Sequence, residues 1–563
     1  VAVSRRALLA LACLSVLLAP PATAPTADAH PRTVDPRPAP LTAATSPVDD
    51  DDVTIATAYP NPIAPQDRGE FVVLDVPSPT HLGNWTLSDG ETTTYLPNRT
   101  VHGRVLVAAD VDAAEATYAK TIRGDDSASN VTTLHAPGLG LSNAGETLAV
   151  ANATGTTVAT FAYEDAPAGE LARQDGFHAF GETDHRAWTS ANVDARTFVL
   201  PDTPVPLEPI RRADDRIVLA GYTFSSERTA RVLERAAASG VDVHVLVDDA
   251  PVGGITRRQL RILDRLAATD VEVRALGGER ARYDYQHAKY VVADDTAVVL
   301  TENWKPSGTG GHANRGWGVV LDDSDVADDL ARVFENDWEA PDARPWTTVA
   351  TDVPVEPDQP ANATYPSPID SRTVRADAVT VVTAPDNAER VLRASLRNAT
   401  DRVRVLQMTA DRDGVLLEET IQAARRGVDV RILLSSAWYA REENARVVEA
   451  LDRLAEREDL PLDARLVDPD ENFRKLHAKG VVVDDRVVLG SINWNDHSLR
   501  ENREVAVVIH DDAAATYYAD AFDADWERGH GTQLPSWLAI AAALAVLVLL
   551  VVLKHHVQLA DDR

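Results

Sequence analysis

Short apolar runs of strand length, the first alternating with polar residues at period two, fill the first third of the chain. Val53–Ala58, Glu70–Leu74, Val105–Ala108 and Glu146–Val150 each read as extended segments, and Asn, Asp, Gly and Pro clusters separate them. Several short strands at this spacing predict a β-sandwich over residues 50–165. From about Arg211 the period changes, and apolar runs of strand length alternate with Ala/Leu-rich stretches of helical period. That order then repeats. Ala236–Val243 and Ala423–Val430 each hold a helix end, a glycine (Gly240, Gly427) suited to the left-handed cap, and an apolar strand. Strands alternating with helices predict two α/β halves, at 205–345 and 371–530, each with a largely parallel sheet. The proline-bearing stretch 346–370 between them reads as a linker.

The two ends add a location. Arg5 and Arg6, an apolar run to Leu18 and the small residues Ala22, Ala24, Ala27 and Ala29 have the layout of a signal peptide over 1–29, with a twin-arginine look. The lone cysteine, Cys13, falls in that run and is read as a small apolar residue. Residues 535–553 form an apolar stretch at the short end of what spans a bilayer, flanked by Trp537 and Lys554. Lys554, His555 and His556 follow, so the tail 554–563 is expected in the cytoplasm and the bulk of the chain outside a single-pass anchor in the cell membrane. Six N-x-S/T sequons, at Asn84, Asn98, Asn130, Asn152, Asn362 and Asn398, fit export but arise readily in threonine-rich sequence.

Composition sharpens this picture. Acidic residues number 87 against 55 basic ones, a formal net charge of -32, and Lys120, Lys289, Lys305, Lys475, Lys479 and Lys554 are the only lysines. An acidic, lysine-poor surface stays hydrated in concentrated salt, which is the halophilic pattern. It also opposes non-specific binding of nucleic acid.

Two of those scarce lysines occupy the same place in a repeat: His287-Ala-Lys289 followed by Asp294, and His477-Ala-Lys479 followed by Asp484. Residues two apart on a strand share a face, so each copy presents an imidazole and an ammonium together. The match continues through Asn303-Trp304 over Asn493-Trp494 and Asn314-Arg315 over Asn502-Arg503. These residues resemble the H-x-K-x4-D motif of the phospholipase D superfamily, and Gly490-Ser491-Ile492-Asn493 resembles its downstream string. The resemblance runs from about Arg211 to Arg528. It implies two halves packed about a pseudo-twofold axis, with one histidine forming a phosphohistidine and the other protonating the leaving oxygen. Further upstream, Tyr59–Pro62, Gly69–Leu74, Asn84–Gly90 with Trp85, and Leu141–Leu148 resemble a lamin-tail domain, an immunoglobulin-like module. That resemblance implies a binding or anchoring module without catalytic groups; a structural spacer is the alternative. The fold class expected is therefore an immunoglobulin-like β-sandwich, a pseudo-twofold α/β phospholipase D-like domain of two halves, and a C-terminal transmembrane helix.

Phosphodiester chemistry assigns roles. Lys289 and Lys479 supply fixed positive charge to the non-bridging oxygens, and Asn303, Asn493, Thr301 and Ser491 add hydrogen bonds. The histidines divide nucleophile and acid between them, so no cofactor or metal is required. Asp294 and Asp484 are expected to brace the halves. Glu504 matches the family position whose carboxylate orients a motif histidine. The first copy departs from the pattern, with Leu300-Thr301-Glu302-Asn303 in place of Gly-Ser-x-Asn and Gly316 where Glu504 stands. On that asymmetry His477 is expected as nucleophile and His287 as acid. A phospholipid at the outer membrane face is the expected substrate, hydrolysed or used for transfer by a monomer. The alternatives are a DNA or RNA nuclease, whose backbone Arg280, Arg282, Arg474 and Lys475 would grip, and a non-catalytic surface binding protein.

Overall fold

The computed structural model describes residues 53–528, apart from residues 63–67, 119–130, 168, 180, 182, 184, 202, 279–280, 310–312, 352, 359–364, 366–368, 468 and 470–471. The expected signal peptide, transmembrane segment and tail, together with Cys13, Arg280 and Asn362, lie outside the described residues. Among the described residues no helix is long and apolar enough to cross a membrane.

Strands between Thr54 and Ala179 build a six-stranded and a four-stranded sheet. Val72, Leu74 and Val107 of the larger sheet share a core with Leu87, Leu148, Val150 and Phe161 of the smaller, and Trp85 packs against it. Asp89 Oδ1 accepts from the N–H groups of Glu91 and Thr92 at 2.9 and 2.6 Å, which closes the Asp-Gly turn. The sandwich continues past residue 165: Glu170–Arg173 and Gly176–Ala179 complete its larger sheet.

A sixteen-stranded sheet carries the rest. Its first half contributes β1 (Trp188–Leu200), β2 (Arg216–Gly221), β3 (Asp242–Asp248), β4 (Val271–Leu276), β5 (Lys289–Ala293), β6 (Thr296–Leu300) and β7 (Asn314–Asp322). The second half contributes β8 (Arg372–Ala384), β9 (Arg402–Gln407), β10 (Asp429–Leu434), β11 (Leu462–Leu466), β12 (Lys475–Leu476), β13 (Lys479–Val483), β14 (Arg486–Gly490) and β15 (Glu504–His510). The order is β4-β3-β2-β5-β6-β7-β1-β8-β15-β14-β13-β9-β10-β11, with Ala343–Pro345 beyond β4 and β12 beside β7. Exchanging each strand for its counterpart reverses the order, so the pseudo-twofold axis passes between β1 and β8.

Two expectations are corrected here. The first half begins with β1, ahead of residue 205, because β1 and β8 together form its antiparallel seam with the second half. The sheet is also mixed. Only β2, β3 and β4, and likewise β9, β10 and β11, run parallel. The motif strands β5 and β6, and β13 and β14, are hairpin pairs. Two-residue turns join them, and such a turn imposes antiparallel pairing.

Helices α1 (Ser324–Trp338) and α2 (Asp512–Arg528) contribute Leu330, Phe334, Tyr518 and Phe522 to a core that draws on strands of both halves. Burying a side chain such as Phe522 contributes roughly 1.5–3 kcal/mol. Separate cores belong to the first half, around Leu219 and Val245, and to the second, around Val405 and Ile432. The shared core holds the halves in one register, which a site built across the axis requires.

Candidate active site

Each motif histidine is fastened to the opposite half. The His287 N–H donates to the Arg503 carbonyl at 2.9 Å, and the His477 N–H donates to the Arg315 carbonyl at 3.0 Å. Those arginines are themselves anchored: buried Arg503 meets Asp337 at 2.9 Å and Asp386 at 2.6 Å, and buried Arg315 meets Asp525 at 2.9 Å. Asp337 and Asp525 sit at equivalent points of α1 and α2, in Phe334-x-x-Asp337-Trp338 and Phe522-x-x-Asp525-Trp526. This second repeated string is readable in the sequence. Arg282, expected to grip a substrate, is committed instead to Asp342 and Asp337, at 3.1 and 3.5 Å.

The side chains cross the axis as well. Nδ1 of His287 lies 2.8 and 2.9 Å from the two oxygens of Glu504, and Nδ1 of His477 lies 3.0 Å from Glu302 Oε1. Both carboxylates are buried. Glu504 therefore orients the histidine of the other half, which removes the ground on which His477 was expected to be the nucleophile. The first half does not lack a carboxylate either; Glu302 supplies it from the end of β6. Where the second half has Ile492 and Glu504, the first has Glu302 and Gly316, an exchange between neighbouring strands. A Cβ on Gly316 would come within 2.4 Å of Glu302 Cγ, so the glycine makes the space that the glutamate fills. The missing glycine is exchanged in the same way. Leu300 pairs with Gly318 across β6 and β7, and Gly490 pairs with Ala506 across β14 and β15.

The two carboxylates differ in charge. Burial raises Glu302 to about 7, although Lys479 and the Asn314 amide at 3.1 Å work the other way. Burial opposes ionisation of Glu504 too, but His287, Lys289 and Ser491 overcome it and hold its carboxyl below the usual value. The Asn502 amide adds a donor to Glu504 at 3.0 Å. Burial lowers His287 to about 4, with Glu504 opposing and Lys289 assisting. His477 is pushed well below its ordinary value by burial and then by Lys479, Lys475, Lys305 and Lys289. Among the described residues no hydrogen bond reaches Nε2 of either histidine.

Lys289 and Lys479 are buried and donate to the carbonyls of His287 and His477. Burial lowers both, Lys479 to about 8 with Glu302 opposing. The side-chain oxygens of Asn303 and Asn493 are buried without a partner. Thr301 and Ser491 also serve the neighbouring strand: the Thr301 hydroxyl accepts from the Trp317 N–H at 2.9 Å, and the Ser491 hydroxyl accepts from the Val505 N–H at 3.0 Å. Both tie β-strands together. Tyr222, which the sequence did not single out, sets its ring edge-on to His287 at 4.6 Å.

Asp294 and Asp484 brace strands within a half rather than the two halves. Asp294 accepts from the N–H groups of Asp214, Asp215 and Arg216 at 2.8, 3.1 and 2.9 Å, and Asp484 does the same for Thr400, Asp401 and Arg402 at 2.9, 2.9 and 3.0 Å. Their φ values of 51° and 53° place both in the hairpin turns after β5 and β13. Burial opposes their charge, but the backbone donors hold both carboxyls low. Asp484→Ala is expected to lower stability by about 1–3 kcal/mol, read as a shift in the denaturation midpoint, because three backbone donors lose their acceptor.

Residues 207–338 and 392–526 match a family model described as "Cardiolipin synthase, PLD-like domain". The chain contains a PLD-like domain. The PLD-like domain is similar to phosphatidylserine synthase of Haemophilus influenzae Rd KW20, at 16% identity over 60% of this chain and 89% of that one, with a TM-score of 0.44. It is also similar to Nuc of Salmonella typhimurium, a phospholipase D family member, at 19% identity over 28% and 98% of the chains, with a TM-score of 0.23. Polyphosphate kinase of Porphyromonas gingivalis matches at 14% identity over 58% and 50%, with a TM-score of 0.37. No curated protein matches the chain.

Proposed function

We propose that this protein is a phosphodiesterase of phospholipase D type that hydrolyses phospholipids, or transfers their phosphatidyl group, through a phosphohistidine. The observation that carries the reading is the pair of crossed histidine–carboxylate contacts whose carboxyls are pushed apart in charge. An ionised Glu504 accepts a hydrogen bond from Nδ1–H of His287, which leaves a lone pair on Nε2: this is the nucleophile. A protonated Glu302 donates to Nδ1 of His477, which puts the ring proton on Nε2: this is the acid. Two titratable groups held apart by their surroundings divide acid from base.

In the first step Nε2 of His287 bonds to phosphorus and the P–O bond to the leaving group breaks. The Nε2 proton of His477 goes to that oxygen while the Glu302 proton moves to Nδ1. Lys289 and Lys479, with the amides of Asn303 and Asn493, neutralise the non-bridging oxygens. Water or an alcohol then attacks phosphorus and the P–N bond to Nε2 of His287 breaks; Nε2 of His477 takes the attacking group's proton as Nδ1 returns its own to Glu302.

A lipid substrate is supported by the net charge of -32, which opposes a polyanion. Membrane tethering through residues 535–553 would keep such a substrate within reach, and the lamin-tail-like sandwich would serve as a binding or anchoring module. Trp438 and Tyr439 favour a second reading: 89% and 44% exposed, they would stack on bases of a single strand as well as sit at a lipid interface. The test is turnover of phospholipid vesicles and of single-stranded DNA in molar salt by the protein and its His477→Asn variant. Lipid turnover that the variant lacks is expected. DNA cleavage in its place makes the protein a nuclease, and inactivity on both leaves a binding protein.

A further inference from the structure

All four lysines among the described residues, Lys289, Lys305, Lys475 and Lys479, gather around His477. Two belong to the motifs, and two do not. Lys475, His477 and Lys479 follow one another at every second position, so they share a face where the strand is extended. Lys475 lies opposite Asn314 in the β12–β7 pairing, and Asn314 is the residue whose amide holds Glu302. The Lys475 ammonium donates to the Tyr439 hydroxyl at 3.1 Å. Lys305 stands on the other side of that pairing, on the loop that leaves Asn303 and returns at Asn314, with its N–H on the Asn303 carbonyl at 2.8 Å.

Neither lysine has an ion-pair partner among the described residues, in a protein where even exposed arginines do. Arg265 meets Glu234 at 2.6 Å, Arg425 meets Glu458 at 2.9 Å and Arg446 meets Glu442 at 2.5 Å. Burial lowers both ammonium groups, Lys305 to about 8 with Lys475 assisting and Glu302 opposing, and Lys475 with Glu302 opposing and Arg474 assisting. Unpaired cations packed side by side are costly unless an anion joins them. The pseudo-twofold counterparts are Asn495 for Lys305 and Tyr285 for Lys475, so the first histidine has no such pair. Around it stand Tyr222, Tyr285 and His497, with Asp284 3.9 Å from His497.

We infer that Lys305 and Lys475, with Tyr439 positioning the latter, form a second phosphate subsite beside His477. The substrate is then a phospholipid whose leaving group carries a further phosphate. This rests on the proposed reading, in which His477 protonates the leaving oxygen; the second phosphate leaves with that oxygen, on the lysine side. Lys289 and Lys479 remain for the phosphate under attack.

The test is calorimetric titration of the whole protein with inorganic phosphate and with pyrophosphate. The protein is expected to bind pyrophosphate at least tenfold more tightly. In the Lys305→Gln, Lys475→Gln double variant the two affinities become equal, and in the Lys305→Arg, Lys475→Arg variant the preference returns, which separates loss of charge from loss of fold. Equal affinities in the wild type, a preference that survives the glutamine variant, or an equal loss of both anions in that variant overturns the subsite while leaving the phosphodiesterase reading intact. Failure of the wild type to bind either anion removes both.

Discussion

His287→Asn is expected to abolish the phosphoenzyme and to cut turnover by on the order of 10^4-fold or more, as loss of a catalytic nucleophile does. His477→Asn is expected to behave differently. The distinction lies in what Nδ1 of each ring touches. An imidazole that bonds to phosphorus acquires positive charge, and a carboxylate on its far nitrogen stabilises that charge only if it is ionised. Glu504 meets the condition, bonded at 2.8 and 2.9 Å and held below its ordinary value despite burial. Glu302, raised to about 7, meets it fully only above that pH. A substrate with an aryl leaving group that departs as a stable anion separates the two roles, since it needs no acid. On such a diester the His477 variant should release the aryl group in a burst at close to the wild-type rate and then accumulate phosphoenzyme on His287, whereas the His287 variant should fail on every substrate. On alkyl diesters the His477 variant should lose about 10^2- to 10^4-fold, the usual contribution of a general acid. Acid quench during turnover, followed by mapping of the labelled histidine, decides the assignment: label on His477 would reverse it.

Both halves and both H-x-K pairs were legible because each is a local pattern, a period or a spacing, written twice. The pairing of carboxylate to histidine was not, since Glu504 and His287 stand 217 residues apart and Glu302 and His477 175 apart. Reading position by position along the chain, Gly316 and Leu300 looked like losses. They are exchanges with Glu302 and Gly318 on strands that lie side by side, visible only once β6 and β7 are paired. The mixed sheet was missed for a nearer reason. Asp294-Asp295 and Asp484-Asp485 are two-residue turns, and aspartate tolerates their positive φ, so the motif strands had to fold back as hairpins. Thr301 and Ser491 were expected at the phosphate from its chemistry, and their hydroxyls also serve the adjacent strand. The unpaired lysines were countable from the start, but that Lys305 and Lys475 meet at one histidine depends on the β12–β7 contact between halves.

Glu302→Gln is expected to slow turnover by between about 10^2- and 10^4-fold and to move the alkaline limb of the pH profile. In the wild type kcat/KM should fall below about pH 4, where His287 takes up a proton and its lone pair is lost. It should also fall above about pH 7, where Glu302 gives up the proton that fixes His477 as the Nε2–H donor. Glutamine in place of Glu302 can donate its amide to Nδ1, which keeps the donor tautomer at every pH but passes no proton onward. The alkaline limb therefore moves up from about 7 to the one set by Lys479 at about 8 while the acid limb stays, a result that mere loss of packing would not produce. A second construction uses the exchange between the halves. Gly316→Glu alone should destabilise the protein, because its Cβ would lie 2.4 Å from Glu302 Cγ. Joined to Glu302→Ile it copies the Ile492 and Glu504 arrangement of the second half, returning a carboxylate to His477 from β7. The double variant is expected to recover at least tenfold of the activity that Glu302→Ile loses. Recovery with an alkaline limb moved from its wild-type position would show that the carboxylate's charge state, rather than its place on the chain, sets the acid; failure to exceed the single Glu302→Ile variant would sink the exchange.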